Sequence, residues 1–279
     1  MRLYNSPEYI LNLIHMGSIN LQRLILAILC LVSLSVFAAL PDEIQVYHGE
    51  ISEVGEISVD VHLNYSMKGI STPDFQSERV TNHAFRLTPE FNYGLGKTVE
   101  IGLYIPTIYT PTYGYESAGY KFRAKWLPYQ QKNDDLFSAG INVEFGVLRT
   151  GMEQTSRKVE YRFILAKEWS RWELAMNPMV TTNISEAYSR TPEFGYSLQI
   201  LKKTFGNISK VGLEYYQSIG PYNNFLPSNQ QAKTLFFVMN FEPQVGWFHD
   251  WDFHWGVGRG WNSADPWIVK MIVSPKLIH

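Results

Sequence analysis

From Ile57 onward the chain repeats one pattern, with apolar side chains at every second position and polar ones between them. Ile57, Val59, Val61, Leu63 and Tyr65 alternate with Glu56, Ser58, Asp60, His62 and Asn64, which predicts a strand with one apolar and one polar face. The same period governs Phe85 to Tyr93, Val99 to Ile105, Tyr120 to Trp126, Phe137 to Val147, Val159 to Leu165 and Trp172 to Asn177. It continues through Phe194 to Ile200, Val211 to Tyr215, Leu235 to Phe241 and Trp251 to Val257, and ends at Trp267 to Val273, which is apolar on both faces apart from Lys270. These make twelve candidate strands. Their spacing of about 20 residues suits membrane strands of about 9 to 11 residues plus a connection.

The connections give the predicted sheet a polarity. The odd-numbered ones read as long: Met67 to Glu78, Thr107 to Ala118, Leu148 to Lys158, Val180 to Thr191, Gln217 to Ala232 and Gly258 to Asp265. The even-numbered ones tend to be short, as at Gly94 to Thr98 and Glu168 to Arg171. Long loops at one end, short turns at the other and both termini at the short end describe an all-β, up-and-down antiparallel transmembrane barrel. Hydrocarbon cannot satisfy an open strand edge, so the sheet must close, and its apolar face must point outward. The competing reading is a secreted soluble barrel or sandwich, whose core would be crowded with aromatics.

Composition sharpens this picture. Charged residues are 18% of the 279-residue chain and aromatics 15%, against about 25% charged in ordinary soluble domains. Tyr65, Tyr93, Trp126, Trp169, Trp247 and Trp267 fall near strand ends and read as interfacial girdles. The formal charge of -2 argues against a nucleic-acid partner. The only long apolar run, Leu24 to Leu40, resembles a secretory signal peptide with a small-residue cleavage pattern at Val36-Phe37-Ala38, which puts the leader at 1–38 and a single barrel domain at 39–279. A retained helical anchor is the alternative. Residues 1–15 fit no such leader, and Met16 makes a more conventional start. The lone cysteine, Cys30, lies inside the run, so cleavage would leave no thiol.

Several stretches resemble a family of Gram-negative outer-membrane β-barrel proteins described as transporters, similar to the "MetA-pathway of phenol degradation" group. They are Pro41 to Tyr47, Gly49-Glu50-Ile51, Thr72-Pro73-Asp74-Phe75, Thr88-Pro89-Glu90, Glu100 to Pro106, Gly140 to Phe145, Leu213 to Tyr216 and Trp255 to Gly258. The resemblance implies a porin-like outer-membrane protein in contact with membrane lipid and the barrel-assembly machinery. It names no solute and carries over no site residues. The chain ends Leu277-Ile278-His279, without the terminal aromatic residue common in such barrels.

The inward polar faces hold the candidate chemistry: Asp60, His62, Arg86, Glu90, Glu100, Lys121, Arg123, Lys125, Glu144, Glu160, Arg162, Glu173, Glu193, Glu214 and Asp252. Lys121, Arg123 and Lys125 form a basic ladder opposite a mostly acidic remainder. Two readings stand. The lining is a pathway or binding pore for a small, anionic or aromatic solute, or the charges pair and plug a closed barrel whose long loops contact partners. No catalytic residue, cofactor or metal is expected. His249, Asp250, Asp252 and His254 resemble a metal cluster in composition, but the period of two leaves too few ligands on one face. A lipid hydrolase based on His83 or His62 is the enzyme alternative; His83 is assigned to the apolar face of the second strand, and no matching serine accompanies it.

Overall fold

The computed structural model describes residues 43–132, 137–185, 190–204, 209–244, 246–249 and 251–275. The predicted leader, Cys30, Asp250 and the C-terminal tripeptide lie outside them. Among the described residues no helix is long and apolar enough to cross a membrane.

The strands are β1 (Ile57–Lys68), β2 (Phe85–Gly96), β3 (Val99–Tyr104), β4 (Thr107–Thr110), β5 (Gly114–Ser117), β6 (Gly119–Tyr129), β7 (Ser138–Leu148) and β8 (Arg157–Glu168). They are followed by β9 (Trp172–Asn183), β10 (Glu193–Thr204), β11 (Ser209–Pro221), β12 (Lys233–Phe241), β13 (Trp251–Trp261) and β14 (Trp267–Pro275). Neighbours pair antiparallel, and β1 bonds both to β2 and to β14, from Val61 opposite Val273 to Lys68 opposite Trp267. The sheet is therefore closed, and no edge is left for lipid to solvate.

The fourteen segments make twelve staves. β3 and β4 are halves of one stave, interrupted at Ile105-Pro106. Proline has no N–H to give the ladder, yet the register continues across it, with Glu90 opposite Tyr104 on one side and Leu87 opposite Thr107 on the other. The Pro106 carbonyl still accepts from the Ala118 amide at 2.8 Å. β5 and β6 likewise share a stave, joined through Ala118, and β6 opens on Gly119. There φ is 127°, and an added Cβ would stand 2.2 Å from the Val147 carbonyl oxygen. The stretch Thr107 to Ala118, expected as a loop, is thus largely the hairpin β4–β5. The expected loop from Gly258 likewise begins only after Trp261, where β13 ends.

The exterior is apolar and aromatic. On β6, Tyr120, Phe122 and Trp126 are exposed while Lys121, Arg123 and Lys125 between them, and Leu127 after them, are buried. All six girdle residues are exposed, Trp247 almost completely at 96%. Unpaired charges on such a face would cost about 2–4 kcal/mol each at the bilayer midplane, and the polar faces accordingly turn inward.

The long loops are tied across the seam. The Gly69 and Ile70 amides donate to Asn82 Oδ1 and Thr81 Oγ1 at 3.1 and 2.9 Å. Asp265, in the last long-end turn, accepts from the Ile70 amide at 3.1 Å and from the Thr81 hydroxyl. Arg79 makes a two-pronged bond to Glu116 at 2.7 and 3.0 Å, and its guanidinium lies 3.8 Å from the Tyr113 ring centre.

Candidate functional site in the lumen

Twelve strands enclose more space than the eight-stranded barrels that wall side chains alone can fill, and less than the sixteen-stranded porins with open channels. Here a second element shares the space. Residues 43–56 run through the lumen before β1 begins. Ile44, Val46 and Tyr47 are buried, as is Glu43. Ile44 packs in a cluster with Leu201, Phe236, Val238 and Ile268, while Tyr47 packs with Leu127, Ile164 and Ile51.

Wall side chains bond this segment's backbone because it has no ladder of its own. Asn177 does so twice, accepting from the Tyr47 amide at 2.6 Å and donating to the Tyr47 carbonyl at 3.0 Å. Lys270 donates to the Ile44 carbonyl at 2.9 Å, Arg162 to the Gln45 carbonyl at 3.2 Å, and Glu100 accepts from the Ser52 amide at 2.6 Å. Near the short-turn end the segment folds onto β2, where Gly94 exchanges backbone bonds with Gly55 and Glu56 at 2.8 and 3.1 Å. A Cβ at Gly94 would sit 1.9 Å from the Glu53 carbonyl oxygen, so only glycine admits this contact.

The basic ladder is paired rung by rung. Lys121 lies 2.9 Å from Glu144 and 3.7 Å from Glu43. Arg123 donates to Glu90 at 2.6 Å, to Glu100 at 2.5 Å and to Asn92 at 2.6 Å, and Lys125 lies 3.0 Å from Glu100. His62 completes this group through Glu90 at 2.9 Å. Arg162 bridges Glu160 at 2.8 Å and Glu43 at 3.5 Å. The Tyr47 ring lies among these cations, with Arg162, Lys125 and Arg123 at 4.8, 5.7 and 5.8 Å from its centre, within cation–π range. Its hydroxyl is 2.7 Å from that of Tyr104.

A second group centres on Glu214, which pairs with Lys270, accepts from Gln199 and Tyr216 at 2.6 Å each, and has His254 Nε2 at 3.0 Å. Of the other predicted positions, Glu173 pairs with Lys210 at 2.8 Å, Asp60 accepts from Asn92 at 2.9 Å and from Ser274, and Arg86 is buried. Glu193 and Asp252 lie half-buried at opposite ends of the inward face. Glu43, Tyr47, Lys210 and Lys270 were not among the predicted positions. The only sequence signal for Lys270 is that it is the single charge on an otherwise apolar strand.

The other sites weighed from sequence resolve differently. His254 is engaged with Asn240 and Glu214, and no group of three or more metal-binding side chains forms among the described residues. His83 is not on β2. It occupies the turn before that strand at φ 59°, exposed, with its ring nitrogen 3.4 Å from the Tyr65 hydroxyl.

No protein-family model matches the sequence, and no curated protein matches it. Solved structures do share its architecture. The COG4313 outer membrane channel from Pseudomonas putida F1 superposes with a TM-score of 0.53 at 11% identity, over 84% of this chain and 99% of that one. The KdgM porin in complex with disordered oligogalacturonate gives 0.52 at 9% identity, over 79% and 99%, and the NanC porin 0.51 at 12%, over 78% and 100%. At these identities the common property is the fold: a closed antiparallel up-and-down barrel.

Proposed function

We propose that this protein is an outer-membrane channel of a Gram-negative bacterium that passes a small solute and whose lumen is held shut by its own segment 43–56. The observation that carries the reading is the manner of closure. The filling is not the wall but a stretch of chain attached to it mainly by side chains, so it can leave without breaking a strand ladder. When it leaves, Lys121 and Arg162 lose Glu43, and Arg123 and Lys125 lose the Tyr47 ring. An anionic or aromatic solute can replace both contacts, which makes such molecules the preferred cargo. The resemblance of the sequence to the "MetA-pathway of phenol degradation" group of transporters supports the same reading, as does the shared fold of channels and porins.

Planar-bilayer recording tests it. The full barrel should show low, intermittent conductance, and a variant lacking residues 43–52 should show larger and steadier steps, with selectivity shifted toward anions. A folded deletion variant that stays electrically silent would instead establish a closed barrel with a structural or interaction role.

A further inference from the structure

The belt that faces lipid is not uniformly convex. Across β8 to β12, near the short-turn end, the outer surface sinks into a concavity of about 690 Å³, within the range of small-molecule sites. Its floor is aliphatic and follows from register: Leu174 lies opposite Ile200, and Met176 opposite Leu198. Aromatic rings at Phe137 and Trp169, beside the two flanking short turns, stand at its rim. Two basic side chains flank its mouth, and Glu168 in the adjacent turn pairs with Lys203. Lys167 is directly opposite Leu174 on one side of β9, and Lys202 is opposite Trp172 on the other. Both ammonium groups lie over indole rings, Lys167 at 5.5 Å from the Trp169 centre and Lys202 at 5.6 Å from the Trp172 centre. Long basic side chains at this depth carry their charge to the headgroup level while their stems cover apolar surface.

We infer that this groove is a binding site for one anionic glycerophospholipid of the leaflet at the short-turn face, its acyl chain on the Leu174–Ile200 floor and its phosphate between Lys167 and Lys202. An apolar trough opening between two cations at the interface matches a molecule with an apolar chain and an anionic head. A neutral lipid would offer the lysines no counter-charge, and a second barrel docked here would bring two like-charged rims together.

Native mass spectrometry of the folded barrel in nonionic detergent, titrated with palmitoyl-oleoyl phosphatidylglycerol, tests the site. The intact protein should retain one lipid preferentially. Lys167→Gln and Lys202→Gln should each weaken retention about fivefold, and Met176→Trp, which fills the floor, should abolish it. Phe122→Leu, in the belt on β6, should leave it unchanged. Heat-shifted gel mobility confirms that each variant is folded, and the two lysine changes decide the matter if Met176→Trp does not fold. Equal retention in the lysine variants, or a dimer through this face that persists in excess lipid, would overturn the assignment.

Discussion

Lys270 shows how one inward side chain can join the wall and the filling. It is fully buried, pairs with Glu214, and donates to the Ile44 carbonyl. Removing one partner of a buried pair leaves the other charge uncompensated, at a cost of about 3–5 kcal/mol. Lys270→Met should therefore lower the free energy of unfolding, read by urea titration, by an amount near that range, and adding Glu214→Gln should restore part of the loss. Free-energy losses that are simply additive would show that the residues do not act as a pair. Alternation is enough to place charges such as Glu90, Arg123 and Glu214 on the buried face, because lipid forbids charge on alternate residues. Which acid meets which base was not, since Arg123 reaches Glu90, Glu100 and Asn92 on two different strands at once.

Among the elements, the strands were easier to read than the segment that fills them. A strand repeats one requirement every second residue. Residues 43–56 obey no period, and the groups that hold them come from far away in sequence, Asn177 lying 130 positions from Tyr47. Thr107 to Ala118 was misread for a different reason: Pro106, Pro111 and Gly114 punctuate it as a loop, although Pro106 interrupts the stave without shifting its register. The contact at Gly94 separates filling from wall experimentally. Gly94→Val should displace residues 53–56, since the new side chain meets their backbone, and should make the segment accessible to protease while the heat-shifted mobility of the barrel persists. Loss of that mobility would show that the strand, not the segment, had yielded. The long loops provide a pH test. Burial raises the Asp265 pKa above the ordinary carboxylate value of 3.8. The folded state thus binds that proton more tightly than the unfolded chain, and this contribution is complete below 3.8 and lost as pH rises through the raised value. Asp265→Asn keeps an oxygen for Ile70 and Thr81 without the buried charge. It should be more stable than the parent at pH 7.5 by thermal unfolding, and the advantage should shrink on acidification toward pH 3.8.

At the scale of the whole molecule, closure, strand number and facing were legible together, because a sheet in hydrocarbon must satisfy every backbone group and only a closed barrel does so. The state of the lumen was not legible, because alternation specifies only that inward positions are polar. Its consequence lies in the placement of Glu43. A carboxylate on a short tether beside Lys121 and Arg162 behaves as a resident competitor at an effective concentration of order millimolar. A free anion that contests those residues must approach the same concentration before it prevails. The barrel should therefore respond to small carboxylates as a threshold device, with single-channel openings unchanged in micromolar solute and rising in frequency through the millimolar range. Glu43→Gln should move that threshold downward.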